Sequence, residues 1–145
     1  MNDTKFNFYN WVPQYNTSVT SGGSQSYGND YFQLSRSGTG YFDSSTLEAA
    51  FYDWTGFDIN VGDTIHVEYT CVFSTSGQYP GTPTFEQATN GGGRSVYKAF
   101  SNTSTKAELT LIAAVKNQPL WINYYNAGGT LSYLRFYNIW IEHTA

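Results

Sequence analysis

Pro119 is followed by the stretch Leu-Trp-Ile-Asn-Tyr-Tyr, residues 120–125, and then by the turn signal Asn-Ala-Gly-Gly-Thr. If this stretch is a strand, Trp121, Asn123 and Tyr125 share one face, because strand side chains alternate. Ring, amide, ring in a row suits a pyranose. Flat rings pack against its C–H faces, and amide or carboxylate groups hydrogen-bond its hydroxyls. The competing reading is a wet sheet face with no ligand. Two further rings lie where a surface position is expected: Trp54, between Asp53 and Thr55-Gly56, and Tyr79, inside a Pro/Gly-rich stretch. His66 and Glu68 could add hydrogen bonds, as could Gln33 and Arg135, although lone polar groups on a wet face mostly serve solubility. Trp11 and Trp140 sit in strongly apolar surroundings, which favours core packing for both.

The same inventory is poor in catalytic groups. His66 and His143 are the only histidines, and no G-x-S-x-G elbow occurs. Glycoside hydrolysis needs two carboxylates facing across a cleft. Glu48, Glu68, Glu86, Glu108 and Glu142 are present, but nothing in the sequence pairs them. Two histidines without an acidic cluster argue against a catalytic metal. Asn90-Gly-Gly-Gly-Arg94 lacks the Lys and Ser/Thr of a phosphate loop and reads as a flexible connection. No catalytic residue, metal ligand or cofactor is assigned from the residues themselves.

The segment that must position these groups runs from Gly56 to Ser74. Val61-Gly62-Asp63 is a turn signal. Beyond it, Ile65, Val67, Tyr69, Cys71 and Phe73 fall on one face, and Thr64, His66, Glu68, Thr70 and Ser74 on the other, interrupted only by Val72. This is the pattern of a long strand with a dry and a wet side. Further strands are expected at Phe6–Trp11, 31–36, 46–52 (a strand or a single turn), 95–100, 108–115, 120–125 and 131–142, with a short one at 17–20. The remainder of 14–30, the stretch 75–94 and the segment 101–105 read as loops and turns. The closing stretch LSYLRFYNIWIE is apolar on both faces and is expected to lie centrally in its sheet. About eight to ten short strands separated by polar turns describe an all-β chain: a β-sandwich, in its jelly-roll version, forming one domain over residues 1–145.

Composition agrees. Charged residues make up only 12% and aromatics 19% of 145 residues, with 13 Tyr, 10 Phe and 4 Trp, and rings in such numbers leave some at the surface. The net charge of −4, with only 7 Lys and Arg, leaves no basic run for tracking phosphates, so nucleic acid is not an expected partner. No apolar run approaches the roughly 20 residues of a membrane-spanning helix. The lone Cys71 falls on the dry face and reads as a small hydrophobe. The surface chemistry looks extracellular, yet the N-terminus lacks a signal-peptide pattern. A module cut from a secreted protein and a component of a phage particle both fit, so the expected location is extracellular or virion-associated.

With the strands laid out, the chain resembles the jelly-roll carbohydrate-binding modules of families four, nine and twenty-two. Three features carry the resemblance: the aromatic N-terminal stretch with Asn10 and Trp11, the turn and strand VGDTIHVEYTCVFSTSG, and the closing strand LRFYNIWIE. It implies a non-catalytic module whose partner is a polysaccharide or cell-surface glycan. Similar modules are also carried on phage tail and baseplate adhesins. The family often holds a structural Ca²⁺ through an Asp in the closing strand. This chain has Asn138 there, which puts the metal in question. The alternative is a structural or assembly protein of a virion, whose exposed rings would form subunit contacts. Oligomeric state is left open.

Overall fold

The computed structural model describes residues 3–5, 14–15, 23–28, 30–36, 46–51, 59–74, 82–88, 94–114, 116, 120–125 and 130–144. Every regular element among them is a strand: β1 (Asp3–Lys5), β2 (Gln14–Tyr15), β3 (Gly23–Tyr27), β4 (Phe32–Arg36), β5 (Thr46–Phe51), β6 (Thr64–Phe73), β7 (Thr84–Ala88), β8 (Arg94–Ala99), β9 (Thr103–Ile112), β10 (Leu120–Tyr125) and β11 (Leu131–Glu142). They form two antiparallel sheets. One has six strands in the order β3-β4-β11-β6-β9, with β1 also pairing β11, and the other has five in the order β2-β5-β10-β7-β8. The chain is an all-β sandwich of the jelly-roll class.

The long strand read from Gly56–Ser74 is β6, and its dry face is the core: Ile65, Val67, Tyr69, Cys71 and Phe73 are all buried. Asn60–Asp63 makes the turn before it. Asp63 N–H donates to Asn60 C=O (3.0 Å), and Gly62 takes φ 95°, a conformation glycine adopts without strain. β11 is central, as expected from its two-faced apolar pattern, and pairs with β1, β4 and β6.

Four expectations are corrected. β2 and β3 both fall in the stretch 14–30, read as a polar loop outside 17–20. β7 lies within the expected loop 75–94, where the inward Phe85 supplies a core contact. β9 begins at Thr103, so the expected turn shrinks to Ser101-Asn102. Trp140 is not a core residue. It stands partly exposed on the outer face of the six-stranded sheet, while Ile139 and Ile141 take the inward positions. The cause is a register shift between Phe136 and Asn138. One inserted residue switches the inward set from the even to the odd positions. The expected strands at Phe6–Trp11 and 17–20, and Trp11 itself, lie outside the described residues.

The sheets meet through aromatic contacts. Phe73 of β6 packs edge-on to Tyr124 of β10 (6.3 Å), and Phe100 joins Phe85 on one sheet to Phe136 on the other. Burial pushes the Cys71 thiol up to about 12, in keeping with its role as a small apolar side chain. At the connection between β8 and β9, the Asn102 side chain imitates a strand partner. Its Oδ1 accepts from Phe73 N–H (3.1 Å), and its Nδ2 donates to Phe73 C=O (3.0 Å). Asn102→Ala removes both bonds and should lower unfolding free energy by about 1–2 kcal/mol in urea denaturation. An unchanged midpoint would show that water replaces the clamp without cost.

Candidate functional site: two outward sheet faces

In β10, Ile122 and Tyr124 are buried in the core, so Trp121 and Asn123 face outward from the five-stranded sheet and are partly buried. Trp121 is in register with Ala50 and Glu86, and Asn123 with Glu48 and Thr84. Thr84 Oγ1 donates to Glu86 Oε2 (3.0 Å) and lies 3.3 Å from the Asn123 carbonyl oxygen, which steadies the Glu86 carboxylate beside the row. The side-chain oxygen of Asn123 is shut from solvent and accepts no hydrogen bond. An acceptor left this way costs about 1–3 kcal/mol, so the fold gains nothing from it. Tyr125 ends β10 opposite Thr46, and its side chain lies outside the description, as do Trp54 and Tyr79.

His66 and Glu68 are elsewhere. They stand on the outer face of the other sheet, across the core from Trp121 and Asn123, so the expected set divides between two faces. Around His66 the fold gathers groups far apart in sequence. Trp140 stacks on its ring (4.9 Å between centroids, 6° between planes). Glu108 Oε1 lies 2.7 Å from Nδ1, and Glu142 Oε1 lies 3.4 Å from Nε2. Glu68 Oε2 accepts from Asn138 Nδ2 (3.2 Å) and lies 3.7 Å from Lys106 Nζ. Thr70 shares a hydrogen bond with the Tyr137 hydroxyl (3.0 Å), and the Lys106 ammonium stands over the Tyr137 ring (4.7 Å). Most charges here are spent on one another. Sequence spacing gave no sign of this convergence, because the partners come from β6, β9 and β11.

Asn138, where the resemblance would place a calcium-binding carboxylate, spends its amide on Glu68. Among the described residues no group of three His, Cys, Asp or Glu side chains is placed to hold a metal ion. Asn138 therefore offers no carboxylate at that position, and most of the N-terminal segment lies outside the described residues.

The fold defines the chain as a jelly-roll β-sandwich, and solved structures of the same architecture give it closer company. A low-affinity xylan-binding module, CBM86, from the gut symbiont Roseburia intestinalis superposes with a TM-score of 0.60 at 6% identity, over 98% of this chain and 96% of that one. BiXyn10A CBM1 in its apo form gives 0.53 at 10% identity, over 99% and 97%. An arabinose-bound α-L-arabinofuranosidase, MgGH51, gives 0.55 at 14% identity, with 98% of this chain matching 25% of that one. At these identities the likeness is one of fold. No protein-family profile and no curated protein sequence matches the chain.

Proposed function

We propose that the chain is a non-catalytic saccharide-binding module that works outside the cell and takes a polysaccharide or cell-surface glycan along the outer face of the five-stranded sheet. Trp121 supplies the stacking surface, and Glu86 and the amide N–H groups of Asn123 hydrogen-bond sugar hydroxyls. Tyr125, Trp54 and Tyr79 are the further rings that the sequence offers for the same role. The observation that carries this reading is the outward pair Trp121 and Asn123 beside the Glu86 carboxylate that Thr84 steadies. The xylan named for one protein of the same fold makes xylan the first probe. The comparisons lend no support to a phage particle as the setting.

Titration of the chain with xylo-oligosaccharides should give measurable binding that Trp121→Ala weakens roughly tenfold or more, in line with the loss of one ring from a sugar-stacking surface. Asn123→Ala should reduce affinity while leaving the unfolding midpoint unchanged or raised, because it removes an unpaired acceptor. If a broad glycan array finds no ligand, or if both variants bind as the parent does, the proposal fails.

A further inference from the structure

On the outer face of the six-stranded sheet, Arg135 stands without an acid partner among the described residues. Lys106 answers Glu68, His66 faces Glu108 and Glu142, and His143 holds Asp63. Arg135 has no carboxylate within ion-pair distance among the described residues, in a chain of net charge −4. Its side chain is nevertheless held in place. Nε donates to Gln33 Oε1 (2.8 Å) on the neighbouring β4. The guanidinium carbon lies 3.9 Å from the centroid of Tyr133, two residues earlier on β11, and 4.6 Å from that of Tyr31. Tyr31 is itself fixed. Its ring packs on Tyr137 (6.0 Å) and lies directly over Gly28, where any side chain would collide with it.

A guanidinium held against two aromatic rings, with only its Nε spent among the described residues, keeps its paired terminal N–H groups as a fork. That fork matches a carboxylate in bidentate fashion. Holding it in advance lowers the ordering cost that a mobile surface arginine would bear on binding. We infer that Arg135, set between Tyr31 and Tyr133, is a binding subsite for the carboxylate of an acidic sugar, a uronic acid residue, on the opposite side of the sandwich from the Trp121 row. The rings on either side offer faces or edges to the pyranose, and the fork takes the acid. The choice of a sugar as the carrier of the carboxylate rests on the proposed function, whereas the anion subsite rests on Arg135 alone.

Calorimetric titration of the whole chain tests this, using a galacturonate oligosaccharide and a neutral xylo-oligosaccharide of equal length at low and high salt. The acidic ligand should bind, and its affinity should fall as salt rises. Arg135→Gln should weaken it roughly tenfold or more, and Arg135→Lys should recover only part, since an ammonium keeps the charge but not the fork. Neutral binding should stay within about twofold in both variants, because they lie on the other face. Thermal unfolding of the variants checks that they fold. A sulfated oligosaccharide binding more tightly than the uronate would overturn the carboxylate assignment. Indistinguishable binding of acidic and neutral ligands, or an acid preference that persists in Arg135→Gln, would overturn the subsite. Neutral binding without acid preference sinks this inference alone, and acid binding without any neutral binding sinks the proposed sugar face alone.

Discussion

Phe100→Ala should lower the free energy of unfolding by about 3–5 kcal/mol, the range for emptying a fully buried aromatic site. Phe100 is 1% exposed and lies in the short connection that leaves β8 of one sheet and enters β9 of the other. Its ring meets three others near edge-on: Tyr69 of β6 (4.9 Å), Phe85 of β7 (5.8 Å) and Phe136 of β11 (5.9 Å). Each such pair adds about 0.5–1.5 kcal/mol beyond area burial. The backbone around it is pinned as well. Phe100 N–H donates to Pro83 C=O (2.9 Å), and Ser101 N–H donates to the Tyr69 hydroxyl (2.8 Å). A pinned backbone cannot collapse into the cavity, which pushes the cost to the upper part of the range. Against a total stability of about 5–15 kcal/mol, the variant should be close to unfolded at moderate temperature. Urea unfolding measures it. A cost below about 1 kcal/mol would mean that the sheets do not depend on this ring.

Asp63→Ala should cost about 1–3 kcal/mol, because it removes the buried acceptor that several hydrogen bonds share. Asp63 is 1% exposed. Its carboxylate accepts from Asn60 N–H (2.8 Å), Thr144 N–H (3.0 Å) and the Thr144 hydroxyl (3.3 Å), and His143 Nδ1 lies 2.9 Å from Oδ2. It ties the turn before β6 to the segment after β11. Burial alone would raise the carboxyl's pKa. The hydrogen bonds from Asn60, Thr144 and His143, together with the charge of His143, outweigh burial and hold it below the usual carboxylate value. A lowered folded-state value means stability that is present in full above the unfolded value of about 4 and is lost as pH falls through the folded value. Acid titration of the parent should therefore show a loss of stability beginning near pH 4. Asp63→Asn, less stable at neutral pH, should show a shallower loss over that window. Parallel acid curves for parent and variant would remove Asp63 from this role.

The sequence made some of these features legible and hid others for physical reasons. β6 was visible because one face of it is core and the other is not, and strict alternation records that directly. β10 was visible for the same reason, and the outward placement of Trp121 and Asn123 followed from it. β3 was hidden: Gly23-Ser-Gln-Ser-Tyr27 earns its place by pairing with β4 rather than by burial. β7 carries Phe85 as its core side chain among the described ones, and is defined by its ladders to β8 and β10. Trp140 misled because its apolar surroundings suggested core packing, whereas the register shift between Phe136 and Asn138 turns it to the outer face. The neighbours of His66 come from 42 and 76 residues away, and the Arg135 setting joins β4 to β11. Such juxtapositions depend on topology, and no local pattern reports them.

The central position of β11 bears on how the chain reaches this state. It is the last of the described strands, yet it lies between β6 on one side and β1 and β4 on the other. During synthesis β4 and β6 are complete long before their shared partner exists. For that interval both offer unpaired edges, which are aggregation-prone. The six-stranded sheet cannot close until β11 has left the ribosome, and its pairings span long sequence separations, the kind of contact that makes folding slow. Stalling translation before residue 131 should therefore leave a nascent chain that protease cuts freely and chaperones hold, and release of the last strand should bring protection to β1, β4 and β6 together.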